Sequence, residues 1–457
     1  MGILDGIKIL ELARVTPGEF CTMLLADMGA DVLKIETPSA DGALETPDER
    51  RRAVFAYFNR NKRSLALNLK TPEGQAVFQK LAATADVIVE GFRPGVMKRL
   101  GGDYETVRKI NPRIVYCSLS GFGQDGPYRD FPAHDLNYLS LAGVLGLIGE
   151  PDRKPAIPLN LVADFGGASL HGALGIVLAL FARERTGTGQ HVDISYLDTT
   201  LSLLAATPNL RFFFSDGLAP RRGAGFLGGS YPYYAVYETK DGKLLTIGCT
   251  EPWLWGNFCK AIGHPEFAKH ARKPDQFVRA ANAEEVRARE EIAAIIRTRT
   301  RDEWFDLLVK QDVCVGKVYD VEEVFQDPQV LHRRMMVEVE HPELGKVREV
   351  GIAIKMSETP GSIRRLGPYT GEHTDEVLRE LGMKPEEVEV LRLGEDAIER
   401  RGRAPEEAPY ARRDPVADLV RVEGLGDEPA DLGEALGLGA GGLLAREALG
   451  VLDRDRR

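Results

Sequence analysis

The chain reads as an α/β protein, with a large domain built on a parallel sheet and a smaller α+β domain. Three observations predict this. Short β-rich runs alternate with helical patterns through the first half of the sequence, the signature of a sheet covered by helices on both faces. The composition changes at Phe212-Phe213-Phe214, and a hairpin pattern turned by Asp241-Gly242 follows. From about Arg401 the chain becomes Ala, Gly, Glu, Asp, Arg and Leu, with Tyr410 as the one aromatic, a composition that builds no core of its own.

Each element has its own signal. Ile7–Leu12 reads as a strand. Pro17-Gly18 opens a helix that runs to about Met28 and stops at Gly29. Asp31–Glu36 and Ser64–Leu69 are the next strands. Thr71 is placed to cap a helix with Pro72 at its first position. Asp86–Glu90 and Ile114–Leu119 continue the sheet. The segment from about 160 to 205 is mostly helical, crossed by the Thr186–Gly189 turn and a strand at His191–Ser195. Tyr234–Tyr237 and Leu244–Ile247 form the hairpin, helical patterns fill about 252 to 312, and short strands are expected at Met336–Val339 and Ile352–Ile354. A last helix begins at Thr374. The resulting division is 1–205 for the large domain, 206–227 for a linker, 228–330 for the small domain, 331–400 for a return to the large one, and 401–457 for a low-complexity tail.

Composition narrows the function. With 59 Lys and Arg against 69 Asp and Glu, the net charge is -10, which argues against general nucleic-acid binding. The five cysteines are scattered, odd in number and without a CxxC pair, so neither a disulfide framework nor a zinc site is expected. The N-terminus lacks a signal-peptide pattern, and the longest apolar stretch, around Leu170–Phe181, is read as a buried helix rather than a membrane span. A cytoplasmic protein without membrane or metal partners is the expectation. After the first strand the chain reads Ala13-Arg14-Val15-Thr16-Pro17-Gly18 instead of GxGxxG, which argues against NAD.

Two motifs carry acid/base chemistry. Ala133-His134-Asp135-Leu136-Asn137-Tyr138 sets an imidazole beside a carboxylate at the head of an apolar segment. Ala163-Asp164-Phe165-Gly166-Gly167 sets a carboxylate at the head of a glycine turn. Removing a proton from a carbon acid needs a close base, and inverting the centre needs a second group on the opposite face. Imidazole exchanges protons near neutral pH, and a partly desolvated carboxylate is raised toward that range. Asp135 is positioned to orient the imidazole, and the Gly166-Gly167 amides either stabilise an enolate oxygen or anchor Asp164. The plainer readings are a core or capping histidine and a helix N-cap aspartate. A basic cluster, Arg60, Lys62 and Arg63, and the pair Arg93 and Arg99 about the Pro94-Gly95 turn are candidates for phosphate contacts, or else a solvated charged face.

The sequence resembles the family III CoA-transferase (CaiB/BaiF) superfamily, in its alpha-methylacyl-CoA racemase branch. The motifs are Leu10–Leu12, Asp31–Glu36, Asn61–Ser64, Lys70–Gly74, Glu90–Gly95, Thr186–Gln190 and Gly371–Thr374, in order over about residues 1 to 395. The resemblance implies a Rossmann-like, CoA-binding large domain and an interlocked homodimer, with the site between the large domain of one chain and the small domain of the other. It implies His134 and Asp164 as the catalytic pair, with Glu251 in support. It also implies that Leu67, Lys70, Phe92 and Arg99 bind the CoA moiety, and that CoA enters only as part of the substrate, with no separate cofactor. Members often carry Arg after the second-strand Glu, where this chain has Thr37. In some transferases of the family a glycine loop corresponding to Gly225–Gly229 shields the intermediate.

The leading expectation is racemisation of a 2-methyl-branched acyl-CoA, a reaction of lipid metabolism. The first alternative is CoA transfer between carboxylic acids through an aspartyl thioester on Asp164. The second is a non-catalytic acyl-CoA-binding protein.

Overall fold

The structure, a computed structural model, describes residues 2–13, 15–38, 54, 56–205, 208–225, 227–272 and 279–393. Its centre is a six-stranded sheet of order β3-β2-β1-β4-β5-β6. The strands are β1 Lys8–Leu12, β2 Asp31–Glu36, β3 Lys62–Ala66, β4 Val87–Glu90, β5 Val115–Ser120 and β6 His191–Ser195. Every neighbouring pair is parallel. This is the doubly wound Rossmann order, in which the chain reverses its direction of growth between β1 and β4.

Alternation along the strands sorts side chains into two layers. Leu10, Leu12, Leu33, Ile35 and Ile88 pack with Phe78 of the Pro72–Ala82 helix and Leu378 of the Thr374–Glu380 helix. Ile9, Val32, Val87, Val89 and Val115 pack on the other face with Cys21 and Leu25 of the Thr16–Asp27 helix and with Ile176 and Leu180. The helix caps follow from sequence. Thr71 accepts the N–H of Gly74 (3.1 Å) with Pro72 in the first turn. Gly18 sits where an added Cβ would come within 2.4 Å of the Ala13 Cβ, so only glycine lets the first helix leave β1 so closely.

The sheet also buries charge. Glu11, Lys34 and Ser64 are register partners across β1, β2 and β3. Lys62 Nζ lies 2.7 Å from Glu11 Oε2, and both side chains are 0% exposed. Lys34 pairs with Glu19 and Glu36, each at 2.9 Å.

The smaller unit holds an antiparallel sheet, β7 Tyr234–Glu238, β8 Leu244–Gly248 and β9 Val315–Lys317, in that order. Its core joins Tyr231, Tyr237, Ile247, Trp255, Phe258, Ile292 and Trp304. Trp255 is buried, whereas Trp253 is 64% exposed. The short β9 has too few residues to leave a sequence signal. The segment read as a linker contains a helix, Pro208–Asp216.

The chain then returns to the large sheet. β10 Met336–His341 pairs antiparallel with β11 Gly345–Val350. The strand expected at Ile352–Ile354 is therefore misplaced; the partner strand lies just before it, where Lys346, Arg348 and Glu349 dilute the apolar signal. The apolar stretch at Leu170–Phe181 also extends further than expected. Helical structure is continuous over Leu161–Thr186, long and apolar enough by length and composition to cross a bilayer, contrary to the sequence reading. One face of it is core, with Gly172 against Leu119 and Cys21. Leu170, Leu174, Leu178 and Phe181 stand exposed on the other. The tail beyond 401 lies outside the described residues.

Candidate active site

Ligands of open α/β sheets bind beyond the carboxyl ends of the strands, where the winding reverses. The Asp164 motif packs on the start of the first helix, and the His134 motif is joined to it through Asp135. Ser169 donates its hydroxyl to the Pro17 carbonyl (2.7 Å) and to the Asp164 carbonyl (2.9 Å). Phe165 packs on Phe20 and Phe58, with ring centroids 5.3 and 5.5 Å apart.

His134 is the N-cap residue of the Asp135–Leu141 helix. Its N–H donates to Asn137 Oδ1 (3.0 Å), which fixes the backbone, while its imidazole is exposed. Asp164 lies in a π-helical stretch, Leu161–Ser169, a rare geometry that recurs at functional sites. The approach to it is strained: Leu159 has φ +57°. Asn160 Nδ2 donates to Asp164 Oδ2 (3.4 Å).

Asp164 is held up at about 6, chiefly by burial and secondly by the Asp135 carboxylate; the Asn160 hydrogen bond and the His134 imidazole pull the other way. The structure thus brings His134 and Asp164 into electrostatic reach of one another. Asp135 does not orient the imidazole. Its Oδ2 accepts the N–H groups of Ala163 (2.8 Å) and Asp164 (2.9 Å) instead. Adjacent side chains on a helix start point apart, which is why the expected contact with His134 fails.

Glu251 caps the Pro252–Ala261 helix of the smaller unit and accepts the Thr250 hydroxyl (2.8 Å).

The candidate CoA contacts separate into two kinds. Lys70 and Arg99 are exposed, and their charged groups make no ion pair among the described residues. Phe92 is half-buried, and its N–H donates to Glu90 Oε2 (2.9 Å). Leu67 is 1% exposed inside the core, and its N–H donates to the Glu36 carbonyl (2.8 Å), so its side chain has no open face.

The basic cluster is a correction. Arg60 is buried between Asp27 (2.6 Å) and Glu349 (3.3 Å), Lys62 is paired with Glu11, and Arg63 binds Asp31, Glu376 and Glu380 at 2.9 Å each. All three cations hold the sheet to its surroundings, and none is left for a phosphate. A second feature was not legible in sequence. Arg222 donates to the carbonyls of Gly146, Glu150 and Arg153, clasping the loop between the His134 helix and the Asp164 turn.

A carboxyl poised near neutrality beside an imidazole, at the ligand-binding edge of a doubly wound sheet, is the site of an α/β enzyme that moves protons or acyl groups. The family model for CoA-transferase family III matches residues 4–374. The chain belongs to that family. It is 36% identical over 398 residues to the alpha-methylacyl-CoA racemase of Homo sapiens, covering 86% of this chain and 97% of that protein. It is also 36% identical over 405 residues to the succinyl-CoA–L-malate CoA-transferase beta subunit of Chloroflexus aurantiacus, covering 85% and 96%. A crystal structure of a CAIB/BAIF family protein from Brucella suis superposes with a TM-score of 0.68 at 30% identity, over 83% of this chain and 99% of that one. Racemases and CoA-transferases stand at equal identity, so the family is fixed by these matches and the reaction is not.

Proposed function

We propose that the protein inverts the α-carbon of a 2-methyl-branched acyl-CoA by two-base proton transfer. The observation that carries this reading is that His134 heads the helix whose next residue, Asp135, binds the Ala163 and Asp164 amides (2.8 and 2.9 Å), which brings the imidazole to the Asp164 turn. A transferase needs only a carboxylate nucleophile at Asp164; a racemase needs a second proton carrier. In one direction the Asp164 carboxylate takes the α-proton, the electron pair moves onto the thioester oxygen as an enolate, and protonated His134 returns a proton to the other face. In the other direction the roles exchange. Lys70, Phe92 and Arg99 hold the CoA portion in this reading, and CoA is carried in with the substrate.

The same reading includes a second copy of the chain. The exposed row Leu170, Leu174, Leu178 and Phe181 is a contiguous apolar helix face of the kind that marks an interaction surface. In this reading Glu251 is supplied to the site across the dimer.

The test is incubation of a single epimer in deuterated water. Deuterium at the α-carbon with loss of optical purity supports the reading, and His134→Ala abolishes it. No exchange, with hydroxylamine-sensitive inactivation and CoA appearing on an added carboxylic acid, supports transfer through Asp164, which the equal identity to a transferase favours. Binding without either activity supports a carrier.

A further inference from the structure

We propose that Asp135 is a positioning residue: its carboxylate fixes the turn that carries Asp164 and supplies a neighbouring negative charge. This rests on Asp164 as the reacting carboxyl. The geometry is specific. Asp135 is 4% exposed, and a single oxygen, Oδ2, accepts two successive amides, those of Ala163 and Asp164. Its other oxygen, Oδ1, is buried with no hydrogen-bond partner among the described residues. An orphaned carboxylate oxygen at such a site is costly, and the cost is the mark of a functional constraint.

The turn cannot hold itself. In the π-helical Leu161–Ser169 stretch the first amides have no carbonyl five residues back within the helix to bond, and Asp135 takes two of them. The groups facing Asp164 from the surrounding elements are Asn160, which donates to it, His134 and Asp135 from the adjacent helix start, and the hydroxyls of Tyr138 and Tyr196, both of which feel its charge. Arg93 reaches Tyr138 but is not among the groups that shift Asp164. Asp135 is thus the like charge that opposes ionisation of Asp164, while its hydrogen bonds keep the carboxyl from moving away to relieve the repulsion.

Two variants separate the two roles. In Asp135→Asn, the side-chain oxygen still accepts both amides and the charge is gone. In Asp135→Ala, both are lost. The full chain labelled with 13C-aspartate, with the Asp164 signal assigned by its loss in Asp164→Asn, gives the titration midpoint directly. Asp135→Asn is expected to move that midpoint down by about one unit, as for removal of a neighbouring like charge. The α-proton exchange at pH 5, relative to its plateau, should then rise about fivefold over the wild type. Asp135→Ala is expected to lose exchange at every pH. An unchanged Asp164 midpoint and pH profile in Asp135→Asn overturns the proposal. If the wild type itself shows no exchange, the racemase reading fails, while the NMR midpoint still decides the role of Asp135.

Discussion

Lys62→Met tests the energetic centre of the large domain. The Lys62 ammonium is wholly buried 2.7 Å from Glu11, and it also donates to the Glu19 carbonyl (2.9 Å) and to Asn59 Oδ1 (3.4 Å). Among the described residues Glu11 Oε1 already lacks a hydrogen-bond partner, and Thr22 and Lys34 are what is left to face the carboxylate. Breaking such a pair leaves an uncompensated buried charge and costs about 3–5 kcal/mol. The sign with pH follows from burial, which pushes Glu11 above its usual range. The folded variant holds that proton more tightly than the unfolded chain, so its stability is highest at low pH and falls as pH rises above the ordinary glutamate value. The deficit is therefore larger at pH 8 than at pH 5. The double variant Glu11→Gln/Lys62→Met removes both charges and should recover most of the loss. Intrinsic fluorescence is the wrong assay, because Trp253, Trp255 and Trp304 all belong to the smaller unit. Amide hydrogen exchange of β1 to β3, or far-ultraviolet circular dichroism in urea, reports the right region. Wild-type protection in Lys62→Met, or a double variant as weak as the single one, would refute the reasoning.

Two further outcomes follow from the site. With Asp164 held at about 6, α-proton exchange should fall about tenfold per pH unit below that value and level off above it; a limb near 4 would show an unperturbed carboxyl. Gly167→Ala places a Cβ 3.0 Å from Thr199 Oγ1 and 3.2 Å from the Val162 carbonyl. It should cost about 1–3 kcal/mol by thermal unfolding, from crowding of a packed site. Exchange should fall about tenfold or more through displacement of Asp164; full exchange at wild-type stability would mean that the turn tolerates the bulk.

The sheet was legible wherever apolar alternation and local turn chemistry agreed. Asp31–Glu36 and His191–Ser195 were read to the residue, and Thr71-Pro72 marked its helix start correctly. β3 was read two residues late because Lys62 and Arg63 look like surface; the carboxylates that neutralise them lie 51 and 32 positions away, at Glu11 and Asp31, and no local window shows them. The same long-range pairing turned Arg60, Lys62 and Arg63 from ligand candidates into structural groups. The Asp164 motif was visible as a carboxylate before two glycines. That Asp135 serves its backbone was not, because a contact across 28 residues depends on the π-helical path between them.

The path of the chain also constrains how the molecule is made. Asn61 spends its side chain on Asp27 and on the backbone of Ser362 and Arg364, Ser64 receives the Gly371 amide, and the Ala66 amide is closed by Thr374. Arg60 waits for Glu349 across 289 residues. During synthesis the outer strand of the sheet therefore emerges long before the segment that seals it. Ordering of that edge is expected late, after residues 349–374 have emerged, with closure of so long a loop setting its pace. A chaperone that shields β3 in the interval would be protecting the most vulnerable surface of the nascent protein.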